Sequence, residues 1–242
     1  MFLTRPQEAS LRFWESMSPE VQDCVRPVIS PMIDIRPGCV PDLAGFYGTI
    51  LTSANAVPSL MAATGRRDLI CYCVGEATAA AATVAGFSSQ AMGGDADALV
   101  SELLARRPKG PLVHLRGAHS RGAVADRLTA GGLQVAEHVV YDQTLQPLSD
   151  AARQALMMNT RIVVPVFSPR SAAQLGAELT RLAHWKADIH VVAISAATWA
   201  PLSSIPGVYG RIAARPDAAQ MRKAVQSTLD ALCRVERLNS PQ

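Results

Sequence analysis

Short apolar runs alternate along the chain with segments rich in good helix formers. The clearest example is residues 69–87, where the apolar run LICYCV is followed by GEATAAAATVAGF. An uncharged run of this kind is typical of a strand covered on both faces, and the Ala-rich segment at 77–85 favours a helix. Glu76 suits the positive end of that helix. Gly75 is expected to turn the chain sharply after the strand, and Gly86 to end the helix in the left-handed conformation.

The same alternation predicts an α/β chain throughout. Residues 28–35 look extended, and Pro31 places them in an edge strand or a linker. Turn-rich segments near Pro37 and Pro147 mark boundaries. Strands are predicted at 2–3, 48–51, 69–74, 88–92, 111–115, 135–141, 162–167, 189–194 and 208–212. Helices are predicted at 77–85, 95–107, 149–158, 169–184 and 217–235, with a first helix from 6 to about 14 or 17 and further helices after 55, before 130 and after 198.

Two pairs of segments repeat the order strand, polar turn, helix. ILTSANAV at Ile50 is echoed by VFSPRSA at Val166, and CVGEAT at Cys73 by VAISAAT at Val192. Each half is therefore expected to form a small parallel sheet with helices on both faces, a fold that binds ligands beyond the carboxyl ends of its strands. The pattern fits equally two such edges that face each other across a polar cleft and a duplication without that geometry. The strand ends carry small or polar residues, namely Thr4, Ser53, Gly75, Gly117, Ser168 and Ser195.

One polar residue, Thr78, stands in the first turn of the Ala-rich helix. The backbone N–H groups of a first helical turn have no partner within the helix and can bind an anion. Thr78 could therefore contact an anionic ligand, or its hydroxyl could only satisfy the local backbone. The spacing alone favours the second interpretation.

Composition and charge narrow the possible functions. Hydrophobic residues make up 49% of the 242 residues and charged residues 18%, enough for the core of one large or two small domains. The net charge of +3, without a dense Lys/Arg stripe, argues against a nucleic-acid-binding protein and suits an anionic small molecule. The N-terminus has no signal-peptide pattern, and no apolar run is long enough to span a membrane. Five scattered Cys without a CxxC pair indicate a reduced, cytoplasmic protein.

The chain carries no signature of a common cofactor or metal. No GxGxxG, GxxxxGKS/T or GxSxG motif is present, and the five His residues lack the spacing of metal ligands. What the strand ends offer is a set of hydroxyls, backbone N–H groups and Arg side chains, and Arg suits bidentate recognition of carboxylates. The residues at the strand ends therefore suit an anionic ligand, and no motif in the sequence predicts a cofactor or metal site.

A series of short motifs runs along nearly the whole chain. In chain order they are FLTRP at Phe2, LTSANAV at Leu51, CVGEATAAAATVAGF at Cys73, GGDADALV at Gly93, HLRG at His114, VVYDQ at Val139, FSPRSA at Phe167 and AIS at Ala193. Each motif is weak alone, but their order is specific, and the series resembles the uroporphyrinogen-III synthase family, the cyclases of tetrapyrrole biosynthesis. One departure is Ala197-Thr198, where many members of the family carry Gly-Pro-x-Thr or a Thr pair.

The resemblance implies a fold of two small doubly wound parallel-sheet α/β domains joined by a two-stranded connector, with one domain inserted in the other. Carried onto this chain, the first domain takes residues 1–31 and 146–242, and the inserted domain takes residues 43–139. The connector strands would be 32–37 and 140–144. In the family, the active site lies in the cleft between the domains.

The resemblance also implies an activity, a cyclising hydro-lyase. Family members close hydroxymethylbilane, a linear tetrapyrrole with eight carboxylates, to uroporphyrinogen III with loss of the terminal hydroxyl and inversion of the last pyrrole, and they use no cofactor. Tyr141 matches the proposed proton donor of the family, although a strand Tyr could also serve only in packing. The expected substrate-binding residues are Thr4, Arg5, Ser53, Ala54, Gly75, Thr78, Gly117, Ser168, Ser195 and Thr198.

The resemblance further implies a cytoplasmic monomer of haem or related tetrapyrrole biosynthesis, with no nucleic-acid or membrane partner and with transient contact to the preceding enzyme of the pathway. Two alternatives stay open at this point. One is a non-catalytic two-domain binder of a small polyanion, and the other is a regulatory or scaffold domain derived from the cyclase. The second alternative predicts loss of the polar turns, which are intact in this sequence.

Overall fold

The structure is a computed structural model that describes residues 1–119 and 122–239. The chain divides into two compact units. Unit 1 comprises Met1–Asp34 and Leu145–Gln242, and unit 2 comprises Ile35–Thr144. Both divisions fall at the strands that were expected to form a connector, while the predicted domain boundaries themselves stay a prediction.

Strands and helices alternate along most of the chain. The strands are β1 Phe2–Leu3, β2 Val28–Ile29, β3 Ile33–Pro37, β4 Gly48–Leu51, β5 Ile70–Cys73, β6 Ser88–Ala91, β7 Leu112–Gly117, β8 Val135–Leu145, β9 Arg161–Val166, β10 Asp188–Ala193 and β11 Val208–Ile212. The α-helices are α1 Gln7–Glu15, α2 Pro19–Cys24, α3 Val57–Ala63, α4 Glu76–Val84, α5 Ala96–Arg106, α6 Val124–Ala130, α7 Asp150–Leu156, α8 Pro169–Leu182, α9 Ala196–Trp199 and α10 Ala218–Asn239, and short 3₁₀ turns cover Ala54–Ala56 and Ala200–Leu202. Within the described residues, no helix is long and apolar enough to cross a membrane.

The sheet of unit 2 has the strand order β3-β8-β7-β4-β5-β6. Its five strands from β4 to β8 run parallel. Along the chain the order starts at β4, runs outward through β5 and β6, and then returns to the other side for β7 and β8. This reversal at β4 is the point where doubly wound sheets open a crevice for ligands.

The outermost strand of this sheet, β3, lies next to β8. Gly38 N–H donates to Val140 O at 2.8 Å and Gln146 N–H donates to Met32 O at 3.0 Å, so the two strands run antiparallel. The chain passes from unit 1 to unit 2 within β3 and returns at the end of β8.

Unit 1 contains a parallel sheet of the order β11-β10-β9 and a parallel pair β1-β2. The end of β1 lies beside β9, because the Thr4 hydroxyl donates to Pro165 O at 3.2 Å. The predicted α/β fold class with parallel sheets is therefore confirmed.

Each sheet has an apolar core on both faces. In unit 2, one face packs on α3 and α4 and the other on α5 and α6. In unit 1, one face packs on α7 and α8 and the other on α1 and α10. Burying one Leu side chain stabilises a fold by about 1.5–3 kcal/mol. Because both faces of these strands are buried, side chains that point to either face gain this free energy, and the strand segments are therefore near-continuous apolar runs.

Two local predictions about backbone geometry had different outcomes. Gly86 has φ +87°, so the prediction of a left-handed residue after α4 is confirmed. The chain bends at Val74 and Gly75, so the predicted turn is confirmed, but the turn does not require a glycine, because the φ of −153° and ψ of 174° at Gly75 are extended backbone that any residue adopts. Gly75 instead precedes α4 as its N-terminal capping residue.

Candidate active site

The carboxyl ends of the unit 2 strands line an open pocket of about 400 Å³. Its walls come from the residues that follow β4, β5, β6 and β7 and from β8 itself, so it lies where the strand order reverses. The residues that line it are Thr52, Ser53, Val74, Gly94, Ala96, His119, Tyr141 and Gln143.

Tyr141 reaches this pocket from β8, and its position depends on Gly117. The register of β8 against β7 shifts at Arg116/Gly117, which brings Tyr141 opposite Gly117. A Cβ on Gly117 would lie 2.5 Å from Tyr141 Cε2 and 2.9 Å from the phenol oxygen, closer than real Cβ atoms approach their neighbours. The Tyr141 side chain is 5% exposed. Its hydroxyl has no hydrogen-bond partner among the described residues, so it is free to act on a ligand.

Ser53 begins the 3₁₀ turn that leads into α3. Its hydroxyl accepts the Asn55 N–H at 3.2 Å, and Ala54 is the first residue of the turn. Because the Ser53 oxygen acts as the acceptor in this bond, the hydroxyl proton of Ser53 remains available to a ligand.

The first turn of α4 lies beside the pocket, and the residues that line the pocket include Val74 but neither Gly75 nor Thr78. Thr78 N–H donates to Gly75 O at 3.1 Å, so its backbone is satisfied locally. The Thr78 side chain is buried, and within residues 1–119 and 122–239 its hydroxyl makes no hydrogen bond. One interpretation was that the Thr78 hydroxyl only satisfies the local backbone. No hydrogen bond of this hydroxyl to the described residues supports it.

A chain of polar contacts leads from Thr52 into the sheet. The Thr52 hydroxyl oxygen lies 3.4 Å from His114 Nε2, and His114 Nδ1 lies 3.2 Å from Glu137 Oε2. Arg116 Nη2 completes the chain at 2.7 Å from Glu137 Oε1. Arg116 also donates to Gly117 O at 2.9 Å, which ties the chain of contacts to the glycine beneath Tyr141.

The charges in this chain follow from burial and pairing. The hydrogen bond from Arg116 lowers the pKa of Glu137 below its ordinary value, which favours the carboxylate. Burial lowers the pKa of His114, and this effect outweighs the opposite influence of Glu137. Because this pKa lies below the ordinary value of 6.5, the neutral imidazole is the favoured form of His114 at neutral pH.

In unit 1 the predicted site residues lie at the ends of β1, β9 and β10. Thr4 is buried and its hydroxyl is bonded to Pro165 O, as described above. The Arg5 guanidinium lies 4.6 Å from the centre of the Phe167 ring. Burial, with a smaller contribution from Arg12, lowers the pKa of Arg5 below its ordinary value.

The hydroxyls of unit 1 that follow β9 and β10 cap helices. Ser168 accepts the Ser171 N–H at 3.1 Å at the start of α8. Ser195 accepts the Thr198 N–H at 3.3 Å at the start of α9, and the Ser195 and Thr198 hydroxyl oxygens lie 3.1 Å apart. These caps leave further backbone N–H groups at both helix starts without a partner in the helix.

The structure therefore gathers only part of the predicted site in the pocket of unit 2, namely Ser53 and Tyr141. It also adds pocket residues that the sequence analysis did not single out, namely Thr52, Val74, Gly94, Ala96, His119 and Gln143. Two of these residues could have been found from their closeness in sequence to predicted site residues. Thr52 directly precedes Ser53, and Gln143 stands two residues after Tyr141. Among the described residues, no group of three or more His, Cys, Asp or Glu could hold a metal ion.

The known proteins to which this chain is similar are uroporphyrinogen-III synthases. Residues 22–223 match the family model of uroporphyrinogen-III synthase HemD. No curated protein matches the sequence. The fold is similar to the crystal structure of uroporphyrinogen-III synthetase from Helicobacter pylori, with a TM-score of 0.64, 18% identity, and coverage of 84% of this chain and 94% of that one. It is also similar to a mutant uroporphyrinogen III synthase from Thermus thermophilus, with a TM-score of 0.50, 17% identity, and coverage of 96% and 98%.

At 17–18% identity, the two solved structures show only that the fold is similar. The family model, in contrast, covers well over half of the chain. The match includes the pocket of unit 2 with Tyr141 and the ends of β9 and β10 in unit 1, while Thr4 and Arg5 at the end of β1 lie before it. The chain belongs to the uroporphyrinogen-III synthase family.

Proposed function

We propose that this protein is a cyclising hydro-lyase that converts hydroxymethylbilane to uroporphyrinogen III, with loss of water and inversion of the terminal pyrrole. The observation that carries the proposal is the family match over residues 22–223, which contains Tyr141 at a pocket on the switch-point edge of a doubly wound sheet. We further propose that it acts as a cytoplasmic monomer that receives its substrate by transient contact with the preceding enzyme.

Tyr141 is the proposed general acid. Hydroxide is a poor leaving group, so the carbon–oxygen bond of the substrate breaks more easily when a donor protonates the oxygen and water departs. The electron-rich pyrrole supplies the electron pair that replaces this bond. A tyrosine phenol has an O–H group that can donate its proton. The proton lost from the pyrrole carbon when the ring closes can then return to the phenolate, so that the protons balance over one turnover.

The remaining task of the protein is to hold a flexible chain in the pose that leads to inversion. The substrate carboxylates suit the backbone N–H groups and hydroxyls at the helix starts, since these groups bind anions. In unit 2 the proposed contacts are Ser53, Ala54, Gly75, Thr78 and Gly117. In unit 1 they are Thr4, Arg5, Ser168, Ser195 and Thr198.

The test is incubation of the purified protein with freshly prepared hydroxymethylbilane, followed by oxidation and separation of the porphyrin isomers. Substrate without protein and heat-denatured protein are the controls, since spontaneous closure gives the type I isomer. We expect type III product well above the controls. Type I product at the spontaneous rate, together with tight binding of the tetrapyrrole, would instead support the non-catalytic binder.

A further inference from the structure

The chain of contacts Thr52–His114–Glu137–Arg116 fixes the direction of each hydrogen bond in it. All four residues belong to unit 2, and they come from β7, from β8 and from the turn after β4. Arg116 donates to Glu137, and an ionised carboxylate can only accept. The His114 nitrogen that faces Glu137, Nδ1, must therefore carry the proton.

A neutral imidazole has one N–H and one bare nitrogen. With the proton on Nδ1, the bare nitrogen is Nε2, which faces Thr52. Thr52 must then donate its only hydroxyl proton to His114. What Thr52 presents to the pocket is a pair of acceptor sites on its oxygen.

Ser53, the neighbour of Thr52 in the pocket wall, has the opposite character. Its oxygen is engaged as an acceptor by Asn55 N–H, so its proton is available. Adjacent hydroxyls of the same wall thus present an acceptor at Thr52 and a donor at Ser53. A tetrapyrrole carries both complementary groups, namely pyrrole N–H donors and carboxylate acceptors.

We infer that His114 and Glu137 are positioning residues that fix Thr52 as a hydrogen-bond acceptor for a pyrrole N–H of the substrate. This inference rests on the proposed function for the identity of the ligand. The direction of the hydrogen bonds rests only on the contacts within unit 2.

The substitution Glu137→Gln offers a sharp test because it reverses the chain of bonds. Arg116 would hold the amide oxygen of Gln, and the amide NH₂ would donate to His114 Nδ1. The proton of the imidazole would then move to Nε2 and be donated to Thr52, whose own proton would turn toward the pocket. Glu102→Gln is the matched control, since Glu102 pairs with Arg106 on the exposed face of α5.

The first measurement is the ¹⁵N NMR spectrum of the histidine side chains, with the His114 signals assigned by their loss in His114→Gln. We expect the Nδ1–H tautomer for His114 in the wild type and in Glu102→Gln, and the Nε2–H tautomer in Glu137→Gln. An Nε2–H tautomer in the wild type would overturn the inference without any assay of turnover.

The second measurement is the steady-state kinetics of type III product formation. Loss of one neutral hydrogen bond is expected to raise KM about 3- to 10-fold in Thr52→Val and in Glu137→Gln, with little change in kcat. Glu102→Gln should resemble the wild type, and Thr52→Ser, which keeps the hydroxyl, should recover most of the loss seen in Thr52→Val. The double variant Thr52→Val/Glu137→Gln should be no worse than Thr52→Val alone, because Glu137 acts through Thr52.

Additive losses in the double variant, or an unchanged KM in Thr52→Val, would overturn the inference while the proposed function stands. A wild-type protein that forms no type III product would instead overturn the proposed function. In that case the NMR result would still decide which groups Thr52 presents to the pocket.

Discussion

The contact between Gly117 and Tyr141 shows how one residue without a side chain can position another with a large one. The ring of Tyr141 occupies the space that a Cβ on Gly117 would take. The bulge in the β7–β8 pairing brings the two residues opposite each other, and Ala118 N–H donates to Tyr141 O at 3.0 Å. The proposed acid is therefore held by backbone geometry.

Tyr141→Phe tests the proposed general acid. The variant should keep its fold, because the ring packing stays and no hydrogen bond to a described residue is lost. General acids contribute about 10²–10⁴-fold to a rate, and we expect a loss at or below the low end because the pyrrole also helps to expel the hydroxyl. Type I product from spontaneous closure should then become visible. Tyr47→Phe, at an exposed tyrosine of unit 2, is the control. Wild-type turnover by folded Tyr141→Phe would exclude Tyr141 as the acid.

Gly117→Ala tests the close approach. The new methyl group would meet the Tyr141 ring at 2.5 Å, so the ring or the strand must shift. Overpacking of this kind destabilises a fold by about 1–3 kcal/mol. We expect a lower free energy of unfolding in urea and a reduced kcat, since the phenol moves with the ring. Gly65→Ala is the matched control, because nothing lies within 4 Å of a Cβ there. Equal stability of the two variants would contradict the structure at this point.

The buried imidazole of His114 predicts a pH dependence of stability. Its folded pKa is lowered, while the unfolded value is about 6.5. Below about pH 6.5 protonation therefore favours the unfolded chain, and stability is lost as the pH falls. The charged groups that face His114 are Glu137 and Arg116. Urea midpoints at pH 7.5 and pH 5 should differ less in His114→Gln than in the wild type. The same loss in both proteins would refute this role of His114.

The sequence pattern predicted well those strands and helices that short stretches of chain determine. The strand at 48–51 and the unit of β5 and α4 need only an apolar run, a polar turn and good helix formers, and the structure has them at Gly48–Leu51, Ile70–Cys73 and Glu76–Val84. The helix α2, Pro19–Cys24, was missed because it is short and buries only Val21, so it lacks an apolar period.

The polar chain behind Thr52 could not be predicted, because sheet order creates it. His114 is 62 residues from Thr52 and 23 from Glu137 in sequence. They meet because β7 lies between β4 and β8 in the sheet, which no local pattern specifies. Tyr141 was proposed from the resemblance to the family, and its dependence on Gly117 became visible only through the bulge in strand register.

The hydroxyl of Thr78 in the first turn of α4 can be tested by substitution. Thr78→Val keeps the size and branching of a buried side chain whose hydroxyl has no partner in the described part of the chain. The fold should therefore be nearly unchanged, and KM for hydroxymethylbilane should rise about 3- to 10-fold if the hydroxyl binds the substrate. Thr83→Val, at an exposed position of the same helix, is the control. A collapse of Tm with normal activity per folded molecule would assign Thr78 a structural role.

Unit 1 is interrupted in sequence by unit 2. Unit 2 is a continuous segment, Ile35–Thr144, whereas unit 1 is assembled from both ends of the chain. Unit 2 has apolar cores on both faces of its sheet, and the residues that line its pocket are all its own. We therefore propose the domain division at β3 and the end of β8, and this proposal can be tested by excision.

A fragment of residues 35–144 is expected to fold on its own, because a compact domain with its own core does not need the chain outside it. Near its termini, Gly38 N–H donates to Val140 O, so the two ends of the fragment already lie together. We expect a cooperative urea transition and native-like circular dichroism under reducing conditions, which keep Cys39, Cys71 and Cys73 as free thiols. The NMR signals of His114 should show the same tautomer as in the full chain, since Thr52, Glu137 and Arg116 are all present. A fragment without a cooperative transition would show that unit 2 depends on unit 1. A folded fragment with an altered His114 tautomer would show that residues outside 35–144 help to set the pocket.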